Sequence, residues 1–276
     1  MDNNIYEFEN RFFRLQINPE LGARIVSLTY RGQEVLVQQS EDTLAFGSTL
    51  WPASKERLGW PIHPDIDRVP YMVETAGDTL VFRSTSVSPL GWRFHKKIWV
   101  EYDKPIIHAR YDIENITDTI RSVAAWEVNR HPKGAKVICH VDTTMMPYKR
   151  LDYLNATISE DGYFYCSIPK SYAKRSQKVS FDGKSRWIAY VNDDWLIVRA
   201  GTMPLSVADF SPRGGELELY IDDDTDYVEI EIQGPYTRLA PGQKASLQTK
   251  WQLAPMPKNT TLTLRDMLDV IGKMVE

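Results

Sequence analysis

The chain has 276 residues, of which 33 are basic and 37 acidic, and its net charge is −4. This charge and the lack of a basic stripe argue against nucleic acid as a partner, because phosphate neutralisation requires clustered Lys and Arg. No apolar run reaches the roughly 18 residues that a membrane span requires, so no membrane association is expected. A hydrophobic content of 42% is typical of a folded globular protein.

Cysteine content and the first residues bear on the cellular compartment. Two cysteines, Cys139 and Cys166, are too few for a disulfide framework or a four-ligand zinc site. The segment Met1–Glu7 lacks the basic and apolar regions of a signal peptide. We therefore expect a cytoplasmic protein, or a periplasmic or secreted one if a leader has been removed.

Alternation of polar and apolar residues dominates the chain and predicts well over ten strands joined by short polar turns. The clearest predicted strands are, in chain order, Arg11–Ile17, Asp78–Ser84, Arg93–Glu101, Ile106–Ile113, Arg186–Val191, Trp195–Ala200, Glu216–Ile221, Tyr227–Gln233 and Lys244–Leu253. This pattern indicates an all-β sandwich. We expect one domain over residues 1–276, with the sandwich at about residues 5–254.

One short helix is predicted near the C-terminus, at about residues 263–275. Its apolar residues follow the i, i+3, i+4, i+7 spacing of one buried face: Leu264, Met267, Leu268 and Ile271. Thr263 and Asp266 have the spacing of a capping box. We expect the helix to pack against the outside of the sandwich.

Two segments, Phe46–Pro70 and Pro147–Gln177, show little regular pattern. Long irregular loops in a compact domain often carry function. The chain also contains 8 Trp and 14 Tyr, which either fill an aromatic core or offer platforms for flat ligands such as sugar rings and nucleobases.

The predicted strand Tyr227–Gln233 presents two different faces, because successive side chains point to opposite sides of a strand. Val228, Ile230 and Ile232 form an apolar face. Glu231 and Gln233 lie on the other face, which is either a solvated surface or the wall of a site.

A second candidate is the segment Ala124–His131, where neither face is simply apolar. Glu127 and His131 share one face, and Trp126 and Arg130 share the other. One face fits a core that contains an anchored arginine, and the other fits a cleft. The alternative for Glu127 is a buried salt link to an arginine.

The third candidate is the loop from Trp51 to Arg68, which contains Trp60, His63 and Asp67. Its rings are suited to stack on a sugar, and its acids are suited to hydrogen-bond the hydroxyls. Alternatively, the tryptophans only anchor a long loop to the body of the protein.

Taken together, these segments resemble the galactose mutarotase-like, or aldose 1-epimerase-like, proteins, and most nearly an uncharacterised, DUF4380-type branch of that superfamily. The opening segment Asn18–Leu36 is similar to the first hairpin of the family. The loop Gly59–Tyr71 resembles one that presents a catalytic His, here His63. Glu231-Ile232-Gln233 is similar to the family's Glu-x-Gln, with the Pro241-Gly242 turn after it.

The resemblance implies a β-supersandwich with a sugar site on its concave face and no cofactor or metal. It implies acid–base interconversion of sugar anomers, with Glu231 as base and His63 as acid or hydrogen-bond donor. Trp51, Trp60, Asp67, Arg93, Trp126, Arg130 and Gln233 are the expected substrate-binding residues. General acids and bases contribute about 10²–10⁴-fold each to such reactions.

The sequence departs from the family pattern where a second His is usual, on the strand that follows Asn115-Ile116-Thr117. Glu127 or His131 is the expected substitute for the missing acid. If neither reaches the ring oxygen, a non-catalytic carbohydrate-binding module of the same fold is the alternative. A mono- or oligosaccharide is the expected ligand, a sugar phosphate stays open, and so does the choice between monomer and homodimer.

Overall fold

A computed structural model describes residues 4–40, 45–53, 62–85, 90–142, 154–171, 176–201, 209–212, 214–221, 226–258 and 262–275. Twenty strands are found in these ranges: β1 Tyr6–Glu9, β2 Phe13–Asn18, β3 Arg24–Tyr30, β4 Gln33–Glu34, β5 Ser48–Ala53, β6 Tyr71–Ala76, β7 Thr79–Ser84, β8 Trp92–Glu101, β9 Ile106–Asn115, β10 Arg121–Pro132, β11 Ala135–Val141, β12 Asn155–Ile158, β13 Tyr163–Ile168, β14 Gln177–Phe181, β15 Gly183–Val191, β16 Trp195–Gly201, β17 Leu217–Ile221, β18 Tyr227–Gln233, β19 Thr237–Leu239 and β20 Lys244–Pro255. The helices are α1, Pro64–Asp67, and α2, Leu264–Val275, with a 3-10 turn at Pro19–Leu21.

The strands form two large antiparallel sheets that pack face to face. The first sheet has the order β1-β2-β3-β5-β10-β18-β17-β14, with β4 paired to β3 and β19 paired to β10. The second has the order β12-β13-β11-β15-β16-β20-β9-β8-β7-β6. One hydrophobic core, which includes Leu50, Phe82, Phe94, Ile197 and Ile230, fills the space between them. This is the predicted all-β sandwich.

Both segments that were predicted to be irregular contain strands. The side chains of these strands do not alternate clearly between polar and apolar, for two different reasons. All six residues of β5 are buried, so the strand shows no alternation. In β13 the inward residues Phe164 and Cys166 alternate with the half-buried tyrosines Tyr163 and Tyr165. Aromatic residues on both faces obscure the period of two.

The helix α2 covers part of the outer face of the second sheet, as predicted. Met267 and Ile271 are buried in a second cluster with Trp187, Leu196 and Val198 of that face. The predicted capping box is present, because Thr263 N–H donates to Asp266 and Asp266 N–H donates to Thr263 Oγ1. Neither described helix has the length and apolar run needed to cross a bilayer.

Helix α1 is held against the first sheet by contacts that only a glycine permits. Gly22 has φ of 66°, and a Cβ at this position would overlap the backbone of Asp67. Gly22 N–H donates to Val69 O at 2.9 Å. Arg24 Nη2 reaches Asp67 Oδ2 at 3.0 Å. This close approach fixes the Asp67 carboxylate beside β5.

A polar network centred on Glu127 of β10 lies in the core between the sheets. Glu127 Oε1 accepts hydrogen bonds from Tyr111 Oη at 2.7 Å, Trp251 Nε1 at 3.0 Å and Thr249 Oγ1 at 3.1 Å. The Arg199 guanidinium is 4.0 Å from Glu127 Oε2 and stacks over the Trp251 ring at 3.5 Å. Burial lowers the pKa of Arg199 to about 10, so this arginine still carries its charge at neutral pH. Glu127 is therefore the counterion of a buried arginine.

Replacing Glu127 should destabilise the whole sandwich. Glu127→Ala leaves Arg199 as an unpaired buried charge and removes the acceptor of four donors, the fourth being the Asn129 amide. This change costs about 3–5 kcal/mol. Urea unfolding measures the loss, with Glu74→Ala, at an exposed position of β6, as control. A loss below about 1 kcal/mol for Glu127→Ala would show that the network is not needed for stability.

Candidate functional site

Polar side chains gather on the face of the first sheet that points away from the second sheet. Strand register places them there: Glu231 of β18 lies opposite Glu218 of β17 and opposite Val128 of β10. Directly opposed residues share one face of an antiparallel sheet. We call this surface the polar face.

Two carboxylates and one ammonium group form the centre of the polar face. Lys178 Nζ of β14 is 2.8 Å from Glu218 Oε2 and 2.9 Å from Glu231 Oε2. Ser180 Oγ donates to Glu218 Oε1 at 2.9 Å, and the Gly215 N–H donates to the same oxygen at 3.2 Å. Glu218 and Glu231, which we call the carboxylate pair, are almost fully buried. The more accessible member of the cluster is Lys178, whose side chain is 37% exposed.

The surroundings of the carboxylate pair shift the pKa values of its two carboxyls in opposite directions. Burial, together with the neighbouring Glu218 charge, raises the pKa of Glu231 well above its ordinary value, although Lys178 opposes this. Burial also opposes ionisation of Glu218, but Lys178 and the hydrogen bonds to Glu218 outweigh it, so the pKa of Glu218 is lowered. When the pair holds a single proton, that proton therefore resides on Glu231 while Glu218 is ionised.

Two indoles extend the polar face from the carboxylate pair toward α1. Trp126 Nε1 donates to Glu231 Oε2 at 2.8 Å, and Lys178 Nζ lies 4.6 Å from the centre of the Trp126 ring. Trp51 of β5 meets Trp126 edge to face, with ring centroids 5.4 Å apart. Trp51 Nε1 donates to Asp67 Oδ2 at 3.0 Å. A continuous row of contacts thus joins Asp67 to Glu231.

The buried arginines near this row are paired with carboxylates. Arg130 Nε is 2.8 Å from Glu229 Oε1, and its guanidinium lies 4.9 Å from the centre of the Trp51 ring. Arg24 is paired with Asp67. Within the described ranges, no three His, Cys, Asp or Glu side chains are arranged to hold a metal ion.

Gln233 closes the other end of the site at the glycine pair that follows Arg213. A Cβ at Gly214 would overlap the Gln233 amide and the Glu218 carboxylate. Gln233 is 4% exposed, and its Oε1 has no hydrogen-bond partner in the described structure. A buried acceptor of this kind is suited to receive a hydroxyl donor.

The structure brings together six of the residues that the sequence singled out. Trp51, Asp67, Trp126, Arg130, Glu231 and Gln233 lie on or beside the polar face. His63 is the N-cap of α1, the helix that also carries Asp67, and its Nδ1 accepts a hydrogen bond from Asp65 N–H. The His63 side chain is 39% exposed. Trp60 lies outside the described residues.

Three predicted site residues are placed elsewhere. Glu127 and His131 point from β10 into the core, on the side of the first sheet opposite Glu231. His131 Nδ1 is 2.9 Å from Val35 O and its ring stacks on Tyr190, while burial and the Arg199 charge lower its pKa well below the ordinary value. Arg93 lies on the outer face of the second sheet, 3.6 Å from Glu114.

Sequence reasoning missed Lys178 and Glu218, although signals for both exist. Strands β17 and β18 are close in the sequence, and their antiparallel pairing places Glu218 opposite Glu231. Lys178 alternates with the apolar Val179 and Phe181, which marks it as an outward residue of a short strand. The pairing of β14 with β17 is not visible in that local pattern.

Comparison with solved structures shows the same fold in galactose mutarotase-like proteins. A galactose mutarotase-like protein from Lactobacillus casei superposes with a TM-score of 0.60 and 13% identity, over 91% of this chain and 100% of that one. A galactose mutarotase related enzyme from Lactobacillus acidophilus gives 0.61 and 10%, over 94% and 100%. A galactose mutarotase-like protein from Clostridium acetobutylicum gives 0.59 and 11%, over 91% and 95%.

The TM-scores establish a shared fold despite the low identities. This confirms the fold that the resemblance implied. No curated protein matches the chain. One family matches residues 53–254, a segment that holds most of the sandwich and both carboxylates of the pair. The chain therefore belongs to the family described as Domain of unknown function (DUF4380).

Proposed function

We propose that the polar face binds a carbohydrate and exchanges protons with it, in a reaction of the aldose 1-epimerase type. The observation that carries this proposal is the carboxylate pair, Glu218 and Glu231, held by one lysine beside two tryptophans. The fold shared with galactose mutarotase-like proteins supports the ligand class. The Trp126 ring supplies an apolar surface for the C–H face of a sugar, and Gln233 supplies an acceptor for a hydroxyl.

The pair has the two protonation states that anomer exchange needs. When the ring opens, the C1 hydroxyl loses its proton, the bond from C1 to the ring oxygen breaks, and the ring oxygen gains a proton. Both oxygens are bonded to C1, so two neighbouring carboxyls are able to reach them at the same time. Ionised Glu218 is suited to accept the first proton, and protonated Glu231 to deliver the second.

The resemblance to aldose 1-epimerase-like proteins implies Glu231 as the base and His63 as the acid or hydrogen-bond donor, whereas here Glu231 is proposed as the proton donor and Glu218 as the base. Both carboxyls are buried, but the pKa of Glu231 is raised whereas that of Glu218 is lowered, which favours Glu231 as the proton carrier in the resting site. After rotation about the C1–C2 bond the ring closes on the other face of C1. Glu218 then gives its proton to O1, and Glu231 takes the proton from the oxygen that re-forms the ring. His63 stays a candidate for binding a hydroxyl at the edge of the site.

One observation favours the alternative of a non-catalytic carbohydrate-binding module. Glu231 Oε2 already accepts hydrogen bonds from Trp126 and Lys178, so a sugar must displace or share these donors before Glu231 reacts. A binding module requires no such exchange. It predicts saturable sugar binding on Trp126 with unchanged anomer exchange.

Proton exchange at the carboxylate pair is measurable directly. We expect the protein to accelerate anomer exchange of at least one sugar in a panel of aldoses and sugar phosphates, followed by proton NMR. Glu231→Gln should lower the rate at least about 100-fold, because the amide delivers no proton. Glu160→Gln, at an exposed turn position, is the matched control. Full activity of Glu231→Gln would refute the role of Glu231, and binding without acceleration would favour the module.

The shared proton can be tested without any substrate. In protein labelled with ¹³C at the glutamate carboxyl groups, Glu231 should remain protonated well above about pH 4.3, where free glutamate titrates. Lys178→Met removes the cation that stabilises the ionised form, so the pKa values of both carboxyls should rise. Lys136→Met, which removes a lysine paired with exposed Asp193, should change neither. Titration of both carboxyls in the ordinary range would contradict the shared proton.

A further inference from the structure

The outer face of the second sheet is only partly covered. Helix α2 packs over Trp187, Leu196 and Val198. On the strands β6 to β9 and β20, the same face carries a shallow, open groove of about 370 Å³. Its lining includes Thr79, Val81, Lys97, Trp99, Arg110 and Gln248, and we call it the outer groove.

The floor of the outer groove places two positive charges side by side. Lys97 of β8 lies directly opposite Arg110 of β9, and Val81 and Gln248 flank them in the same row. Like charges in direct register destabilise a sheet unless an anion offsets them. Arg110 Nε is 3.2 Å from Asp112 Oδ1, whereas exposed Lys97 makes no ion pair within the described part of the chain.

The wall of the outer groove is an indole held in a fixed orientation. The Trp99 ring is stacked on the His108 ring, with centroids 5.1 Å apart and planes within 9°. His108 Nε2 is 3.0 Å from Glu101 Oε1, which fixes the imidazole in turn. His108 covers the β9 side of the indole, so the other face of the half-buried indole borders the groove beside β7. Such preorganisation lowers the entropic cost of binding.

We propose that the outer groove is a second binding site, specific for acidic oligosaccharides such as chains of uronic acids. The Trp99 face would stack on the C–H face of one sugar ring. Lys97 and Arg110 would bind a carboxylate of the chain, and Gln248 a hydroxyl. A flat, rigid indole beside two neighbouring cations fits a sugar ring that carries a carboxylate. It fits the flexible side chains of an acidic peptide less well. This site is on the opposite side of the sandwich from the polar face and does not depend on its function.

Binding of tetragalacturonate, measured by titration calorimetry at low salt, tests the proposal. Trp99→Ala and Lys97→Glu should each weaken it about tenfold, consistent with the loss of one aromatic or charged contact. Added NaCl should weaken binding to the native protein, because the cations are exposed. Maltotetraose, which is neutral, and tetraglutamate, an acidic peptide, should bind at least tenfold more weakly.

Control variants separate the outer groove from other surfaces. Lys273→Glu, at an exposed position of α2, makes the same charge change as Lys97→Glu and should leave the affinity unchanged. Trp126→Ala should also leave it unchanged. Affinity that is insensitive to Trp99→Ala and Lys97→Glu would overturn the proposal. Loss of binding in Trp126→Ala would also overturn it, because it would place the acidic sugar on the polar face. Equal affinity for tetraglutamate would overturn the proposed specificity for a sugar.

Discussion

Strand β10 is paired along both edges and largely buried on both faces, and the sandwich and the candidate site are built around it. β10 pairs with β5 on one side and with β18 on the other, so its residues lie at the centre of the first sheet. One of its faces carries Glu127 into the core, where Arg199 and four hydrogen-bond donors satisfy it. Its other face carries Trp126 and Arg130 to the polar face. A single strand thus links the stability of the sandwich to the geometry of the candidate site.

Electrostatic balance distinguishes the polar face from an ordinary solvated surface. Buried charges are costly unless they are paired, and here Arg130, Arg24 and Lys178 all have carboxylate partners. Lys178 alone is shared by two carboxylates, Glu218 and Glu231, so one proton completes the balance at this pair. A site with an internal proton and fixed hydrogen-bond donors is preorganised for acid–base chemistry in a low-dielectric environment. This is the physical basis for proposing catalysis in addition to binding.

Alternation along the strands predicted the fold and the face of Glu231, because side-chain direction has a period of two whatever the surrounding structure. The same rule correctly separated Glu127 from Trp126, but it did not tell which of the two faces is the core. A buried face that contains Glu127, Asn129 and His131 looks polar in sequence, since its partners Tyr111, Arg199 and Trp251 come from distant strands. Lys178 was missed for a related reason: its contact with Glu231 spans 53 positions and depends on the pairing of β14 with β17.

The proposed function requires that a sugar binds on the polar face beside the carboxylate pair. A crystal structure of the protein soaked with a monosaccharide that it binds in solution shows where the sugar lies. We expect a sugar ring stacked on Trp126, with O1 and the ring oxygen within hydrogen-bond distance of Glu218 and Glu231. A sugar bound elsewhere, with Lys178 still bridging an unoccupied carboxylate pair, would contradict it.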